Sequence, residues 1–464
     1  MWNSIATWVS HQVRSRHQQW SGKVASVLHE LLPAQRVQRV LREEGVWVRA
    51  CQYSPLVTLW TFLLQVLSSD HSCRDAVARL RAMQTADGQS PCSPDTTAYC
   101  KARQRLPERV CARLAREVGG ELHGRLRDPS RLGGRPIVLV DGSTLSMPDT
   151  PANQAEYPQS SSQRAGLGFP IVRVVAMISL ACGTVLDFAI GPYAGKETGE
   201  TSLFRTIWNA LRSGDVVVGD RFFASYWDLA MLLARGVDSV FRQHQLRVTA
   251  WQRVRRVGRG DWLLCLPKPA RPPWMSRAEY AALADTLTVR EIEVEVRVPG
   301  FRVKHLTLVT TLVDGWRTPA EELARVYRDR WHAELDLRSI KVTMQMDVLR
   351  CKSPEMVRKE IWMHLLAYNL IRTVMAEAAL RNDLAPREVS FTGALQTLWA
   401  YRTLMEQASW TQHDVLYEQV LEAIASHRVG NRPNRFEPRA VKRRPKPHDL
   451  LTVPRQEAKR RLAA

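Results

Sequence analysis

Four polar residues at helical spacing, Tyr327, Arg330, Glu334 and Lys341, are the first sign of chemistry in this sequence. They lie in YRDRWHAELDLRSIK, a stretch without Gly or Pro that reads as one helix. Stepped at about 100° per residue, the four share an arc of about 60°. Arg328, Asp329, His332, Asp336 and Ser339 fall on the opposite side, which reads as the solvated face. Trp331, Leu335 and Val342 flank that face on one side, and Ala333, Leu337 and Ile340 on the other. A Tyr, an Arg, a Glu and a Lys therefore take the place of a core stripe. Unpaired buried charge is expensive. The stripe is either a buried charge network or the wall of a cleft where water, metal and a polyanion supply partners.

Two further carboxylates favour the cleft. Asp141 follows the apolar run IVLV and Asp220 follows VVVG. Both read as sitting where a buried strand ends, which is where α/β proteins place their chemistry. Either one alone is as easily a turn or cap residue. With Glu334 they make an Asp–Asp–Glu set. Three clustered carboxylates repel one another unless cations hold them. All-oxygen ligation suits Mg²⁺, with Mn²⁺ as a substitute. Two such ions, about 4 Å apart, can activate a water or hydroxyl and steady the leaving oxygen of a phosphodiester. Arg330 and Lys341 would then hold the phosphate backbone. Tyr327 would hydrogen-bond a phosphate or stack on a base. Arg221, beside Asp220, would contact phosphate or pair with a carboxylate.

The elements that position these residues alternate. PIVLVDGS reads as a strand ending in Asp141, FPIVRVVAMISLACGTVLDFAIG as two strands turning at Cys182–Gly183, and DVVVGDRF as a short strand ending in Asp220. Helices ETSLFRTIWNALRSG and SYWDLAMLLARG fall between strands, so the core is expected to be α/β. Residues 1–125 read as an all-helical N-terminal domain. There Ser72 and Asp95 are expected helix caps, and Lys101, Arg103 and Arg105 make the second of two short helices basic. This pair fits DNA docking as well as it fits a bundle with a solvated basic face. The core spans 130–244 and 305–380. Between its two parts, 245–304 reads as a strand-rich insertion, with a hairpin signal at Pro299–Gly300. The insertion carries Trp251, Trp262 and Trp274 and the basic residues Arg253, Arg255, Arg256 and Arg259. Residues 381–464 read as a helical C-terminal region ending in an Arg/Lys/Pro-rich tail.

The chain has 464 residues, 45% hydrophobic, and a formal charge of +20. It is globular, and its charge points to a polyanionic partner, with nucleic acid foremost. Its eight cysteines include no C-x-x-C pair, so scattered thiols in a reducing compartment are expected rather than zinc. No apolar run is long enough to span a bilayer, and the N-terminus lacks a signal-like apolar segment. A cytoplasmic, nucleoid-associated protein is expected. His332 and His364 are not expected to bind metal.

The spacing Tyr327–x2–Arg330–x3–Glu334–x6–Lys341 resembles the YREK signature of the IS-four family of insertion-sequence transposases. DGS at Asp141 and GDRFF at Asp220 resemble its two acidic blocks, and GLGFPIVR and KEIWMHLLAYNLIR also look like family sequence. The resemblance covers about residues 130–380. It implies a ribonuclease-H-like core with a DDE triad, Asp141, Asp220 and Glu334, interrupted by a mostly β insertion. It also implies divalent-metal chemistry on double-stranded DNA: cleavage at the element's ends, then strand transfer, by a dimer or larger assembly. In several members the cut end forms a hairpin, whose extruded base would need an aromatic to hold it. A catalytically silent DNA-binding relative, and a nuclease that cuts without joining, are the competing readings.

Overall fold

The computed structural model describes residues 31–47, 51–86, 88–295, 305–408, 410–430 and 449–463. Its first helices are α1 Ala34–Glu43, α2 Pro55–Leu67, α3 Cys73–Ala86, α4 Thr97–Arg105 and α5 Glu108–Arg125. Ser54 caps α2 by accepting the Val57 amide, with Pro55 at the first helical position. Ser72 accepts the Asp75 amide, as expected of a cap, whereas Asp95, which accepts the Thr97 amide, stands one residue before the N-cap of α4, Thr96, whose own side chain makes no cap hydrogen bond. α2 is apolar on every side because it is buried on every side.

The chain then alternates. It runs through β1 Ile137–Ser146, α6 Pro151–Glu156, β2 Ile171–Ser179, β3 Val185–Pro192, α7 Glu200–Thr206, β4 Val216–Gly219, α8 Tyr226–Ala234 and β5 Asp238–Arg242. The insertion supplies β6 Arg253–Gly258, β7 Asp261–Pro267, α9 Arg277–Ala282 and β8 Thr286–Glu295, and β9 His305–Thr310 follows. The strands form one sheet in the order β3-β2-β1-β4-β5-β9-β8-β7-β6. β1, β4 and β5 run parallel, and the other neighbours are antiparallel. Alternate residues serve opposite faces. Leu139, Val218 and Val240 join the core under the N-terminal helices, while Val140, Val217 and Phe241 pack with Phe204 of α7 and Leu229 of α8. A sheet covered on both faces reads as the continuous apolar runs seen in the sequence.

The insertion is strand-rich, as expected, but it is not a separate module. β9 pairs with β5 and β8 with β9, so its strands extend the core sheet. The expected turn at Pro299–Gly300 lies outside the described residues. Trp262 is half-buried beneath Arg253 and Arg256, whose guanidinium carbons stand 5.2 and 5.8 Å from its ring centroid. Arg253 is paired with Glu291 at 2.7 Å.

The last elements are α10 Ala320–Asp329, α11 Trp331–Arg338, a π turn Ser339–Thr343, α12 Pro354–Arg381, α13 Phe391–Gln407, α14 Trp410–Ser426 and α15 Arg455–Ala463. Residues 431–448, which hold most of the basic tail, lie outside the described residues. α5 packs closely on α12 and the start of β3. A Cβ at Gly119 would stand 2.2 Å from the Val185 carbonyl oxygen, so only glycine permits the approach. Asn369 of α12 joins the three elements. It donates to the Ala115 and Val185 carbonyls at 2.9 and 2.8 Å and accepts the Val185 amide at 2.8 Å.

The stretch from Tyr327 to Lys341 departs from a single helix. α10 and α11 meet at Arg330, and α11 runs into the π turn. The solvated side is also turned, by about 90°, from the one helical geometry suggested. Trp331, Leu335 and Val342 are the exposed row, whereas Asp336 is fully buried. Asp336 is inward because cations meet it there. Arg372 and Arg387 pair with it, the latter at 2.6 Å, and the Tyr368 hydroxyl donates at 3.0 Å.

Candidate active site

β1 continues through Asp141 rather than ending there. Its pairing with β4 stops at Leu139 opposite Val218, while its pairing with β2 continues to Ser146. Asp141 therefore sits on a stretch of β1 whose β4 side is open. β4 ends at Gly219, and the Asp220 carboxylate accepts the Phe222 amide at 2.8 Å, opening a 3₁₀ turn. Asp141 shares the parity of Leu139 and Asp220 that of Val218, so both belong to the face that α10 and α11 cover.

Arg330, Glu334 and Lys341 of the stripe lie across this open stretch. The Arg330 guanidinium stands 3.7 Å from the Asp141 carboxylate and donates to Glu334 at 2.7 Å. Lys341 donates to the Ser143 hydroxyl at 2.8 Å. The wider π turn sets Lys341 at this position, and such turns recur at functional sites. Beyond it the chain pairs with the tip of β1: the Ser146 amide donates to the Asp347 carbonyl at 3.1 Å, and the Leu349 amide to the Ser146 carbonyl at 2.9 Å. Tyr327 is half-buried, and burial pushes its phenol above the ordinary range.

Burial raises the Asp141 carboxyl to about 6. Arg330 and the Gly142 amide oppose the shift, and the charges of Glu334 and Asp220 add to it. Burial lowers Lys341, with Asp347 opposing. Asp141, Asp220 and Glu334 thus share one electrostatic environment. Their donors are all carboxylate oxygens, which fit a hard divalent ion. Arg330 already stands between two of them, where a metal cation would otherwise offset their charge. Among the described residues no three acidic, His or Cys side chains converge on one metal-sized point, so binding requires side chains to turn.

Other expected site residues are placed differently from one another. Arg221 hydrogen-bonds Gln245 at 3.3 Å and lies near the Phe222 ring, and no carboxylate pairs with it among the described residues. Lys101 and Arg105 are exposed on α4. Arg103 is not: it is 7% exposed, between the rings of Phe62 and Tyr99 at 4.9 and 5.1 Å, and donates to Cys73 at 3.0 Å. Its neighbours hold it as a core residue, so α4 presents two basic side chains rather than three. Trp251 is 71% exposed, and Trp274 lies against the Arg205 guanidinium, 3.8 Å from its ring centroid. His364 is a buried core residue stacked on His71.

Sequence reasoning passed over Ser143 and Glu200. Ser143 follows Asp141 by two residues on a strand, which puts both on one face. Glu200, read only as part of a helix, has its carboxyl against Gly142 and electrostatically coupled to Asp220. Its signal was faint: an acidic residue opening the helix before the Asp220 strand.

Asp141, Asp220 and Glu334 thus lie near one another at the open stretch of a mixed α/β sheet, with Arg330 and Lys341 beside them. The chain belongs to the transposase DDE domain family, whose model matches residues 132–370, just over half its length. Within that family it is an IS4-type transposase. It is 26% identical over 425 residues to the transposase InsG for insertion sequence element IS4 of Escherichia coli (strain K12), covering 90% of this chain and 92% of that protein. A shorter match, 35% over 83 residues, is to the transposase for insertion sequence element IS421 of Escherichia coli, covering 18% and 21%. Among solved structures, the piggyBac transposase synaptic complex with hairpin DNA aligns at a TM-score of 0.41 and 10% identity, over 86% of this chain and 84% of that one. No helix among the described residues is long and apolar enough to cross a membrane.

Proposed function

We propose that this transposase cuts DNA at the ends of its element and joins the freed 3′-hydroxyls to target DNA. Asp141, Asp220 and Glu334 hold Mg²⁺, for which Mn²⁺ substitutes. The observation that carries this reading is Arg330, whose guanidinium bridges Asp141 and Glu334 on the open stretch of β1. The core that holds it is ribonuclease-H-like. Three antiparallel strands, β1–β3, followed by parallel β4 and β5 in the order β3-β2-β1-β4-β5, support that assignment.

When bound, divalent ions activate the attacking oxygen and steady the leaving one. The protein does the rest by position and charge. Asp141 and Glu334 would hold the metal, and Arg330, which pairs with both of them, would then hold a phosphate oxygen. Lys341, held by Ser143, supplies a second cation on the same strand. Tyr327 hydrogen-bonds the backbone or stacks on a base. Arg221, paired with no carboxylate among the described residues, extends the phosphate contacts from the Asp220 side. Lys101 and Arg105 contribute from α4. Cleavage and joining are both in-line displacements at phosphorus, so one site serves both, and a dimer or larger assembly brings two ends together.

The test is to incubate the full chain with a linear duplex carrying the element's terminal repeats, a target plasmid, and Mg²⁺ or EDTA. Mg²⁺-dependent nicks at the element ends and covalent joining to the plasmid are expected. Nicks without joining would make it a nuclease. Retention of the duplex without nicks would make it a DNA-binding relic.

A further inference from the structure

Arg103 is a buried cation whose hydrogen-bond acceptors are mostly sulfur. Its guanidinium donates to Cys73 Sγ at 3.0 Å and to Gln65 Oε1 at 3.3 Å, and it lies 3.9 Å from Cys100 Sγ. No carboxylate pairs with it among the described residues. Glu360 feels its charge, but that carboxylate is already taken by the amides of Arg350 and Cys351, at 3.0 and 2.9 Å. A buried charge is expensive without compensation. The rings of Phe62 and Tyr99 compensate it in part. Thiols able to ionise compensate it further.

The two thiols also meet each other. Cys100 and Arg103 are three residues apart on α4 and share a face. Cys73 opens α3. The packing of α3 on α4 brings the two sulfurs to 3.8 Å. Among the described residues no other two cysteine sulfurs are this close. Both residues are partly exposed, whereas Cys92, Cys111, Cys182 and Cys351 are buried. A metal does not explain the pair. A guanidinium already stands beside both sulfurs, and among the described residues no three metal-ligating side chains converge.

We infer that Cys73 and Cys100 are a redox-active pair that a peroxide converts to a disulfide, stapling α3 to α4. Arg103 favours the thiolate that starts the reaction. Burial opposes it and pushes the Cys73 thiol up. The thiolate sulfur attacks one peroxide oxygen and the O–O bond breaks, leaving a sulfenic acid and, with the thiol's proton, water. The second sulfur then displaces the hydroxyl. An S–S bond forms, the S–O bond breaks, and the second thiol proton leaves with the hydroxyl as another water. Two thiols give up two electrons and one peroxide becomes two waters. The sulfurs close to about 2.0 Å by rotation about their Cα–Cβ bonds. α4 is also the helix on which Lys101 and Arg105 are exposed, so the bond ties a basic helix to its neighbour.

Hydrogen peroxide is the probe. The reduced full chain is treated with it, quenched with an alkylating agent, digested and mapped by mass spectrometry. The same is done for the chain unfolded in urea, and for folded Cys73→Ala and Cys100→Ala, whose reduced melting temperatures are compared with wild type. A Cys73–Cys100 linked peptide is expected in the folded wild type, reversed by dithiothreitol and absent from both variants. It should form about tenfold or more faster in the folded chain than in urea, because the fold holds the sulfurs together. Should either variant melt early, the comparison of folded and unfolded wild type decides alone. Full alkylation of both thiols after peroxide would overturn the inference. So would sulfinic acid at either position without a link, or linkage no faster in the folded chain than in urea.

Discussion

At the scale of the residue, the site is a set of charges that oppose one another until something arrives. Asp141 shows this most clearly, because burial holds its carboxyl up to about 6 in the folded chain. A folded value above the unfolded one means that the folded state binds the proton better. The favourable contribution is present below the ordinary carboxylate value near 4 and is lost as pH rises through about 6. Asp141→Asn should therefore raise the stability of the metal-free protein at pH 7 by about 1–3 kcal/mol while abolishing DNA cleavage. Urea unfolding in EDTA checks the first part and a nicking assay the second. A variant that is more stable yet inactive is hard to reconcile with a structural carboxylate. The basic residues of α4 separate in the same way. Lys101→Ala and Arg105→Ala should each lower the slope of log affinity for duplex DNA against log salt by about 1. Arg103→Ala should leave that slope alone and destabilise the fold by about 3 kcal/mol, since its guanidinium packs between Phe62 and Tyr99.

At the scale of the element, the helix bearing Glu334 is held from behind. Asp336, two residues on, accepts from Arg372 and Tyr368 of α12 and from Arg387. Arg387 in turn donates to the carbonyls of Ser179 and Leu180 at the end of β2, at 2.8 and 2.7 Å. This network fixes α11 against α12 and the sheet, so the position of Glu334 depends on it. Asp336→Ala leaves Arg372 buried and unpaired and should cost about 3–5 kcal/mol, measured by denaturant unfolding. The same residue marks the limit of the sequence reading. Helical periodicity brought Tyr327, Arg330, Glu334 and Lys341 onto one stripe, and Arg330, Glu334 and Lys341 are indeed neighbours over β1, with Tyr327 beside Arg330. It could not reveal which side faced water. Asp336 looks solvent-facing until Arg372 and Arg387 are brought beside it by the fold, whereas Trp331 and Val342 look half-buried until nothing covers them. The place of Glu200 against Gly142 was illegible for a related reason: only the packing of α7 on β1 creates that contact.

At the scale of the whole molecule, the apolar runs that end near Asp141 and Asp220 made the central strands legible. Strand composition could not tell an independent insertion from an extension of the sheet, because that depends on β9 pairing with β5. The junction of N-terminal helices and core predicts a pH dependence. His123 of α5 contacts the Ser179 hydroxyl at 2.9 Å, and burial lowers it to about 4. His364 is lowered by burial to about 3, and His71, stacked on it, is lowered too. A depressed histidine value means that the unfolded chain binds the proton better. Stability is therefore full above about 6.5 and falls as pH drops towards 4. His123 alone should account for a loss on the order of 3 kcal/mol at pH 4, and His123→Gln should flatten the fall. Urea midpoints between pH 4 and 8 test this.

The central claim is that Glu334 belongs to a metal site that performs chemistry on DNA, rather than to a charge network that supports the fold. The most direct measurement compares wild type with Glu334→Gln on the element's own end DNA in Mg²⁺, reading binding, cleavage and joining in the same samples. The account predicts equal binding, with cleavage and joining only in wild type. Cleavage by the variant at the wild-type rate would contradict it.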